Sequence, residues 1–360
     1  MKRVFNFNPG PAALPEEALK AAAAEMLDYK GTGMSVLEIS HRSKDFEAIL
    51  AETKSLIKKH LAISDNFHIL FMGGGASLQF AMVPMNFLSQ GQAADYVITG
   101  AWAQKAASEA KLFGTVNVAA TSEPDKFTWV PKNDQIKLSP GAQYVHMTSN
   151  NTIFGTQLRE YPDTGNVPLV VDMSSDIMSK RVDVSRMSFV YAGAQKNMGP
   201  AGVTVLLIRD DFLQKQKTGL PKILSYSTYA KEDSLYNTPP VFAIYMTMLT
   251  MRWIDSIGGL GEVEKRNKRK YDLLYGQIDG SNGYYRGTVR PDSRSWMNAT
   301  LRLGSEELED KFIKEAKAAG FVGLKGHRSV GGVRVSMYNA VSVEAIEKLV
   351  EFMKDFQKKN

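Results

Sequence analysis

One lysine stands in a setting that suits covalent chemistry better than a solvated surface does. Residues 189–202 read Phe-Val-Tyr-Ala-Gly-Ala-Gln-Lys-Asn-Met-Gly-Pro-Ala-Gly, so Lys196 follows an apolar run that ends in small residues. A lysine that attacks a carbonyl must lose its proton, which burial favours, and needs a rigid support for its amine. The segment favours a lysine that forms a Schiff base, although a core strand followed by a turn could carry an incidental lysine.

An acid ends a second apolar strand. Residues 169–172 read Leu-Val-Val-Asp, and a buried carboxylate at Asp172 costs free energy unless it meets a cation. The pyridinium nitrogen of pyridoxal phosphate is such a cation, and its protonation makes the ring an electron sink. Asp172 could instead cap the following turn, where Ser174 and Ser175 would also fit. With Lys196 24 positions later, at the end of another strand, the cofactor interpretation is the stronger one.

A glycine-rich loop lies where a strand meets a helix. Residues 73–77 read Gly-Gly-Gly-Ala-Ser, and exposed backbone N–H groups there could surround a phosphate. The loop lacks the Gly-Lys-Ser/Thr ending of a P-loop, and its spacing does not match Gly-x-Gly-x-x-Gly. A flexible turn is the alternative, but the other cofactor signals favour phosphate.

Two side chains that follow strands could contact a flat cofactor ring. Trp102 begins a helix after a strand and could stack on the ring, although a single tryptophan is more often a core residue. Thr152 lies in the polar segment Ser-Asn-Asn-Thr-Ile-Phe-Gly and could bond a ring hydroxyl. A plain turn explains the threonine nearly as well.

Two His-Arg pairs point to an anionic substrate, because the chain has only five histidines. His41 and Arg42 precede a helix, whereas His327 and Arg328 lie in a glycine-containing loop, and Arg334 follows on the next strand. Arginine grips a carboxylate or phosphate in two-point geometry, and histidine adds a donor. The set suggests more than one anionic group on the substrate, with exposed basic loops as the alternative.

Apolar runs and helical patterns alternate along most of the chain, which predicts an α/β fold with a mainly parallel central sheet covered by helices. Predicted strands lie near residues 68–72, 94–99, 115–120, 143–148, 169–172, 188–192, 203–209, 296–303 and 333–337. Predicted helices lie near 15–29, 44–61, 77–88, 102–112, 240–257, 262–278, 306–319 and 342–358. We expect an N-terminal arm over 1–15, a large domain over 16–257 and a smaller C-terminal α+β domain over 258–360.

Composition excludes several classes of function. The formal charge is +6, with 44 basic and 38 acidic residues spread along the chain, and the basic stretch at 264–270 is typical of one solvated helix face rather than a nucleic-acid site. There is no cysteine, so disulfides, thiolate metal sites and cysteine nucleophiles are excluded. We expect no metal. We see neither an apolar signal core nor a run of membrane-spanning length, and we expect the cytoplasm and no membrane partner.

In these segments the sequence closely resembles the phosphoserine aminotransferase family, pyridoxal-phosphate enzymes of fold type I in the class V aminotransferase group. The resemblance covers essentially the whole chain, and its most specific segments are 5–12, 33–42, 73–80, 100–102, 189–202 and 326–334. It implies reversible amino transfer between O-phospho-L-serine and 2-oxoglutarate, giving 3-phosphooxypyruvate and L-glutamate, in serine biosynthesis. Whether phosphohydroxythreonine of pyridoxine biosynthesis is also a substrate stays open.

The resemblance also implies a role for each candidate site residue and a homodimer with shared active sites. Lys196 would carry the cofactor and shuttle a proton, Asp172 would pair with the ring nitrogen, Trp102 would stack on the ring, and Thr152 would reach its hydroxyl. The cofactor phosphate would be held by Ala76, Ser77 and Gln195, and by Asn237 and Thr238 of the neighbouring subunit. The substrate phosphate would be bound by His327 and Arg328 with the neighbour's His41 and Arg42, and the α-carboxylate by Arg334.

The sequence departs from some members of the family at one position, and two alternative functions remain open. Some family members carry arginine where this chain has Ser77, so the substrate phosphate would be held with one guanidinium fewer. A serine- or alanine-glyoxylate aminotransferase is a close alternative, but its substrates need no phosphate pocket, against which the His-Arg pairs argue. A non-catalytic phosphate-binding protein is a second alternative and would be colourless, whereas a lysine-bound pyridoxal phosphate absorbs visible light.

Overall fold

The computed structural model describes residues 3–360, and its strands and helices alternate over most of that range. The strands are β1 Phe5–Asn6, β2 Phe67–Met72, β3 Ala93–Ile98, β4 Thr115–Thr121, β5 Val145–Thr148, β6 Asn150–Asn151, β7 Thr156–Gln157, β8 Leu169–Asp172, β9 Phe189–Gly193, β10 Thr204–Arg209, β11 Arg286–Gly287, β12 Asn298–Arg302, β13 Phe321–Val322 and β14 Val333–Ser336. The α-helices are α1 Glu16–Ala24, α2 Lys44–Leu61, α3 Gly75–Phe87, α4 Ala101–Ala110, α5 Asp210–Leu213, α6 Tyr226–Lys231, α7 Val241–Ser256, α8 Gly259–Asp279, α9 Glu306–Ala318 and α10 Val343–Lys359. Within residues 3–360, no helix has the length and apolar character needed to cross a membrane.

A seven-stranded sheet in the order β2-β10-β9-β8-β5-β3-β4 forms the centre of the molecule. β10 runs antiparallel to both of its neighbours, β2 and β9, while β9, β8, β5, β3 and β4 pair in parallel. Thr204, the first residue of β10, therefore lies opposite Met72 and Gly193, the last residues of β2 and β9. The carboxyl ends of all the strands except β10 meet at one edge of the sheet, as the α/β prediction requires.

Both faces of the sheet are buried, because the strands alternate their side chains between two apolar layers. Val171 faces the layer that contains Ile49 of α2 and Ile244 of α7. Its neighbour Val170 faces the layer that contains Met82 of α3. The predicted α/β class, with helices on both faces of a mainly parallel sheet, is confirmed.

A third apolar cluster forms around the antiparallel sheet β11-β12-β14 and the helices α8, α9 and α10. β1 joins this unit by pairing in parallel with β13, with Phe5 opposite Phe321, and Phe7 is fully buried in the cluster. Residues 5–7 are therefore attached to the C-terminal part of the chain. The predicted boundaries at residues 15 and 257 remain a prediction.

Two local predictions were wrong. The first helix ends at Ala24 and not near residue 29, because the Tyr29 amide bonds the Met34 carbonyl at 2.8 Å and the chain turns there. The basic stretch 264–270 is not entirely solvated either. Lys270 and Asn267 on α8 are fully buried, so the helix turns two polar side chains inward.

The contact between the N-terminal arm and the C-terminal unit predicts a sensitive glycine. A Cβ at Gly323 would lie 2.6 Å from the Asn8 amide nitrogen at a φ of +84°. Gly320 has a similar φ of +92° but no heavy atom within 4 Å of the added Cβ. The positive φ alone costs roughly 1–2 kcal/mol in each variant, and the clash adds about 1–3 kcal/mol. We expect Gly323→Ala to lower the free energy of unfolding by about 2 kcal/mol more than Gly320→Ala in urea titrations. Equal losses would contradict the arm contact.

Candidate active site

Lys196 lies in a tight turn that begins directly after β9. The amides of Met198 and Gly199 both bond the Ala194 carbonyl, at 3.0 and 2.9 Å, and hold the turn. Gly10 packs against the lysine stem, since a Cβ there would lie 3.3 Å from the Lys196 Cγ. The backbone around Lys196 is therefore fixed from both sides.

Burial and neighbouring charges act in opposite directions on the Lys196 amine. Burial lowers its pKa from the usual lysine value, and the Arg334 charge lowers it further, while Asp172 and Asp176 raise it. The net pKa lies below 10.5, so more of the amine is neutral near neutral pH than in an exposed lysine. A neutral amine is the form that can attack a carbonyl or accept a proton.

Asp172 ends β8 and is only 4% exposed. One carboxylate oxygen accepts a hydrogen bond from the Ser174 amide at 2.9 Å, so the turn-capping alternative also occurs. Burial raises the pKa of Asp172, whereas the Ser174 hydrogen bonds and the Lys196 charge lower it. A buried carboxylate that faces a lysine suits a cationic partner such as a pyridinium nitrogen.

Thr152 connects Trp102 with Arg334. The Trp102 Nε1 donates to the Thr152 Oγ1 at 3.0 Å, and the Arg334 Nη1 donates to the Thr152 carbonyl at 3.2 Å. The Lys196 Nζ lies 5.9 Å from the centre of the Trp102 ring. The structure thus brings together four residues that the sequence separates by more than two hundred positions.

Arg334 carries an unused donor. Its side chain is buried on β14, and among residues 3–360 its Nε has no hydrogen-bond partner. Burial lowers its pKa, although the guanidinium stays charged. A buried donor without an acceptor is costly, so this arrangement suits an incoming anion such as a carboxylate.

The loop between β13 and β14 adds positive charge beside Arg334. It is closed by a bond from the Gly326 amide to the Gly332 carbonyl at 2.9 Å. Burial lowers the pKa of His327, and so do the charges of Arg334, Arg328 and Lys105, which shows that these groups lie near one another. Arg328 itself is exposed. The cluster can bind a second anionic group.

The glycine-rich loop forms the N-terminus of α3 at the same sheet edge, with β10 between its strand and β9. Gly74 has a φ of +86°, and a Cβ there would lie 2.5 Å from Leu78, so glycine is required. The first helical bond runs from the Leu78 amide to the Gly74 carbonyl, which leaves the amides of Ala76 and Ser77 without helix partners. Such amides can bind a phosphate.

Gln195 immediately precedes the lysine and belongs to the same turn. Its carbonyl accepts a hydrogen bond from the Ala12 amide at 2.9 Å, which ties the turn to the N-terminal arm. A Cβ at Gly193 would lie 2.6 Å from the Gln195 Oε1, so the side chain folds back over the strand end. Gln195 is thus placed at the same edge as the glycine-rich loop.

Two predicted segments lie apart from this group. Arg42 is exposed, and its Nε donates to the His41 Nε2 at 3.4 Å. Asn237 and Thr238 are also exposed, and the Asn237 Oδ1 accepts from a tyrosine hydroxyl at 3.1 Å. Within the described part of the chain, none of the four has a hydrogen bond or ion pair to the residues around Lys196. The fold of one chain does not bring them into the site.

The sequence-based prediction missed two charged residues of the site. Asp176 is buried, accepts hydrogen bonds from Ser149 and, at 3.0 Å, from Gln157, and raises the pKa of Lys196. A second acid four positions after Asp172 was the available signal. Lys105 places its Nζ 4.6 Å from the centre of the Trp102 ring. Its position three residues after that tryptophan on a helix was the signal.

The groups at this edge fit pyridoxal phosphate. They comprise an amine for the carbonyl carbon, a buried carboxylate for the ring nitrogen, an indole for the ring face and free helix amides for the phosphate. A metal would need different ligands. Among residues 3–360, no group of three or more histidine, aspartate or glutamate side chains is arranged to hold one.

Comparisons with known proteins agree with this chemistry. A family model described as aminotransferase class-V matches residues 4–349. The curated phosphoserine aminotransferase of Lysinibacillus sphaericus is 54% identical, over 100% of this chain and 99% of that protein. A solved phosphoserine aminotransferase from Bacillus circulans subsp. alkalophilus is 52% identical with a TM-score of 0.98, over 100% of this chain and 99% of that chain. A pyridoxal-phosphate-bound phosphoserine aminotransferase from Trichomonas vaginalis is 39% identical with a TM-score of 0.93, over 98% of this chain and 100% of that chain.

The interaction between Asp172 and Lys196 predicts the direction in which the pKa of Lys196 changes when the aspartate is replaced. Because Asp172 raises the pKa of Lys196, Asp172→Asn should lower the pH of half-maximal Lys196 labelling in the cofactor-free protein. Labelling with an amine-reactive reagent across pH 6–11, followed by peptide mass spectrometry, measures this midpoint. The exposed Asp134→Asn should leave it unchanged. An upward shift in Asp172→Asn would contradict the assigned electrostatics.

Proposed function

The chain belongs to the class V aminotransferase family, and from that premise we propose that it transfers an amino group between O-phospho-L-serine and 2-oxoglutarate. The products are 3-phosphooxypyruvate and L-glutamate, and the cofactor is pyridoxal 5'-phosphate. Relatives named for this activity align with the whole chain. The observation that carries the proposal is the pair of hydrogen bonds that Thr152 accepts. One comes from Trp102 on the proposed cofactor side, and the other comes from Arg334 on the proposed substrate side.

The cofactor supplies, when bound, a carbonyl carbon for amines and a ring that withdraws electrons from the substrate Cα. We assign the contacts to its ring, hydroxyl and phosphate to Trp102, Asp172, Thr152, Ala76, Ser77 and Gln195. Asp172 would hold the ring nitrogen, and its Ser174 hydrogen bonds and the Lys196 charge oppose the rise in its pKa that burial causes. Trp102 would stack on the ring.

Lys196 is the residue that moves protons. The neutral amine, which burial favours, removes the proton from the Cα of the amino-acid substrate. The resulting ammonium is stabilised by Asp172 and Asp176, and in the return half of the reaction it delivers a proton to the Cα of the second substrate. Both half-reactions use the same amine in the same place.

The basic residues distinguish the two ends of the substrate. Arg334 binds the α-carboxylate with its Nε, the donor that has no partner within residues 3–360. His327 and Arg328 bind the phosphate of phosphoserine, and the side-chain carboxylate of glutamate occupies the same place. One cationic pocket therefore accepts both amino acids. The exposed Ser77 adds no charge, so the phosphate depends on the remaining cations.

The segments that lie apart from the site support a homodimer with shared active sites. His41, Arg42, Asn237 and Thr238 would each complete the partner's site. The segment before His41 exposes Leu27 at 86% and Leu37 at 57%, apolar surface that a second subunit would cover. We infer that the homodimer is the active form.

Two aspects of the biological role stay predictions. We place the enzyme in the cytoplasm on the sequence pattern. Phosphohydroxythreonine carries the same phosphate and α-carboxylate as phosphoserine, so the proposed contacts extend to it and to pyridoxine biosynthesis. Activity on that compound would be measured separately from activity on phosphoserine.

Substrate selectivity tests the proposed function. The purified protein should convert phosphoserine with a kcat/KM roughly 10³-fold or more above that for serine or alanine, since a polar pocket left without its anion disfavours those substrates. Arg328→Ala should lower kcat/KM for phosphoserine about tenfold to a hundredfold and leave alanine nearly unaffected. Arg186→Ala, an exposed arginine elsewhere, is the control. Preference for serine or alanine would instead support the glyoxylate-type alternative.

Complementation tests the shared sites. Lys196→Ala and Arg42→Ala should each be inactive with phosphoserine, and Lys196→Ala should also lack the visible absorbance of a lysine-bound cofactor. When equal amounts of the two variants exchange subunits, about half of the dimers are hybrids, and each hybrid has one site with both Lys196 and Arg42 intact. The mixture should therefore regain about a quarter of wild-type activity. A mixture that stays inactive while hybrids form would contradict the sharing.

A further inference from the structure

Lys270 is fully buried in α8 and forms no ion pair within residues 3–360. Its Nζ donates to the carbonyl oxygens of Met337 at 2.9 Å, Tyr338 at 2.8 Å and Val341 at 2.9 Å. These bonds use all three N–H groups of an ammonium. All three acceptors belong to residues 337–341, which follow β14 directly and are named here the post-strand segment. One buried side chain therefore holds this segment in place through three hydrogen bonds.

Packing alone does not explain a lysine at this position. Burial and, to a smaller extent, the nearby Arg266 charge together lower the pKa of Lys270 to about 7. A methionine of similar length would fill the same space without the free-energy cost of a desolvated charge. What methionine cannot provide is three donors for the carbonyls of an irregular segment.

Asn267 holds the same segment from one turn earlier on α8. It is fully buried, and its Nδ2 donates to the Asn339 Oδ1 at 2.9 Å and to the Ser179 carbonyl at 2.8 Å. Asn339 in turn donates to the Met178 carbonyl at 2.8 Å. The buried face of α8 therefore fastens the post-strand segment at two points.

The post-strand segment reaches the catalytic lysine from two directions. The backbone amide of Asn339 donates to the Oδ1 of Asn197, the residue after Lys196, at 3.0 Å. The Tyr338 hydroxyl donates to the Pro9 carbonyl at 2.8 Å, in the arm whose glycine packs against the lysine stem. A displacement of the segment would move both contacts.

We propose that Lys270 and Asn267 are positioning residues for the Lys196 amine, acting through the post-strand segment. The proposal rests on the proposed function, in which that amine moves the Cα proton. The post-strand segment also continues β14, which carries Arg334. Lys270 and Asn267 therefore help to position Arg334, and with it the substrate carboxylate, relative to the Lys196 amine. Neither Lys270 nor Asn267 touches the cofactor or the substrate.

The test compares Lys270→Met and Asn267→Ala with Lys268→Met in the full-length, cofactor-loaded protein. Lys268 is a matched control, because it is an exposed lysine on α8 whose contacts, an ion pair with Asp272 and a Tyr271 ring 5.7 Å from its Nζ, lie on the same helix. Three quantities are measured: kcat and KM for phosphoserine, the pH midpoint of the visible absorbance band, and the melting temperature. The midpoint reports the surroundings of Lys196 independently of turnover.

We expect both variants to lower kcat about tenfold to a hundredfold, since displaced reacting groups slow the chemical step more than binding. The absorbance midpoint should move by about half a pH unit or more, and Lys268→Met should match the wild type. Wild-type kcat and midpoint in both folded variants, with only a lower melting temperature, would overturn the proposal. If Lys270→Met does not fold, the test rests on Asn267→Ala. A lower kcat and a shifted absorbance midpoint in that variant would support the proposal, and wild-type values of both would overturn it.

A failure of the proposed function has a different signature. Absence of amino transfer from phosphoserine by the wild type refutes the function but not the positioning. The pH midpoint for labelling Lys196 with an amine-reactive reagent, read by peptide mass spectrometry, needs neither substrate nor cofactor. The same midpoint in wild type, Lys270→Met and Asn267→Ala would overturn the positioning by itself.

Discussion

Desolvated charges that stabilise one another at the carboxyl edge of the sheet are the constraint on which the site depends. Burial lowers the pKa of Lys196 and raises those of Asp172 and Asp176, and the opposite charges counter each change. Lys196 and Asp172 stabilise each other's charged forms, whereas Asp176 relies mainly on hydrogen bonds from Ser149 and Gln157 and on the Lys180 charge. The strands hold these groups at one edge, and the hydrogen bonds from Ser174 to Asp172 further stabilise that carboxylate.

Much of the site could be predicted from the sequence, because the information is local. Lys196 and Asp172 each end an apolar run, and Trp102 and the glycine-rich loop each follow one. In a parallel sheet such positions converge at one edge. The sheet and its helices follow from the same alternation of patterns.

What the sequence does not reveal depends on pairings between distant segments. The antiparallel direction of β10, and the pairing of β1 with β13, involve partners that no local pattern identifies. Lys270 was hidden for another reason, since it ends a run of basic residues that resembles a solvated surface. Only the packing of α8 against the post-strand segment turns it inward. Local patterns report what a residue can do, whereas inward or outward placement is decided by tertiary contacts.

The pairing of β1 with β13 also imposes an order on synthesis. The arm that packs against Lys196 leaves the ribosome before its strand partner, since Phe321 follows 316 residues after Phe5. At typical elongation rates the arm waits roughly 15 to 60 s for that partner. The central sheet can form during this interval, and the arm can already bond the turn at Gln195. A chain that stops before Phe321, however, lacks the strand pairing that is the second attachment of the arm.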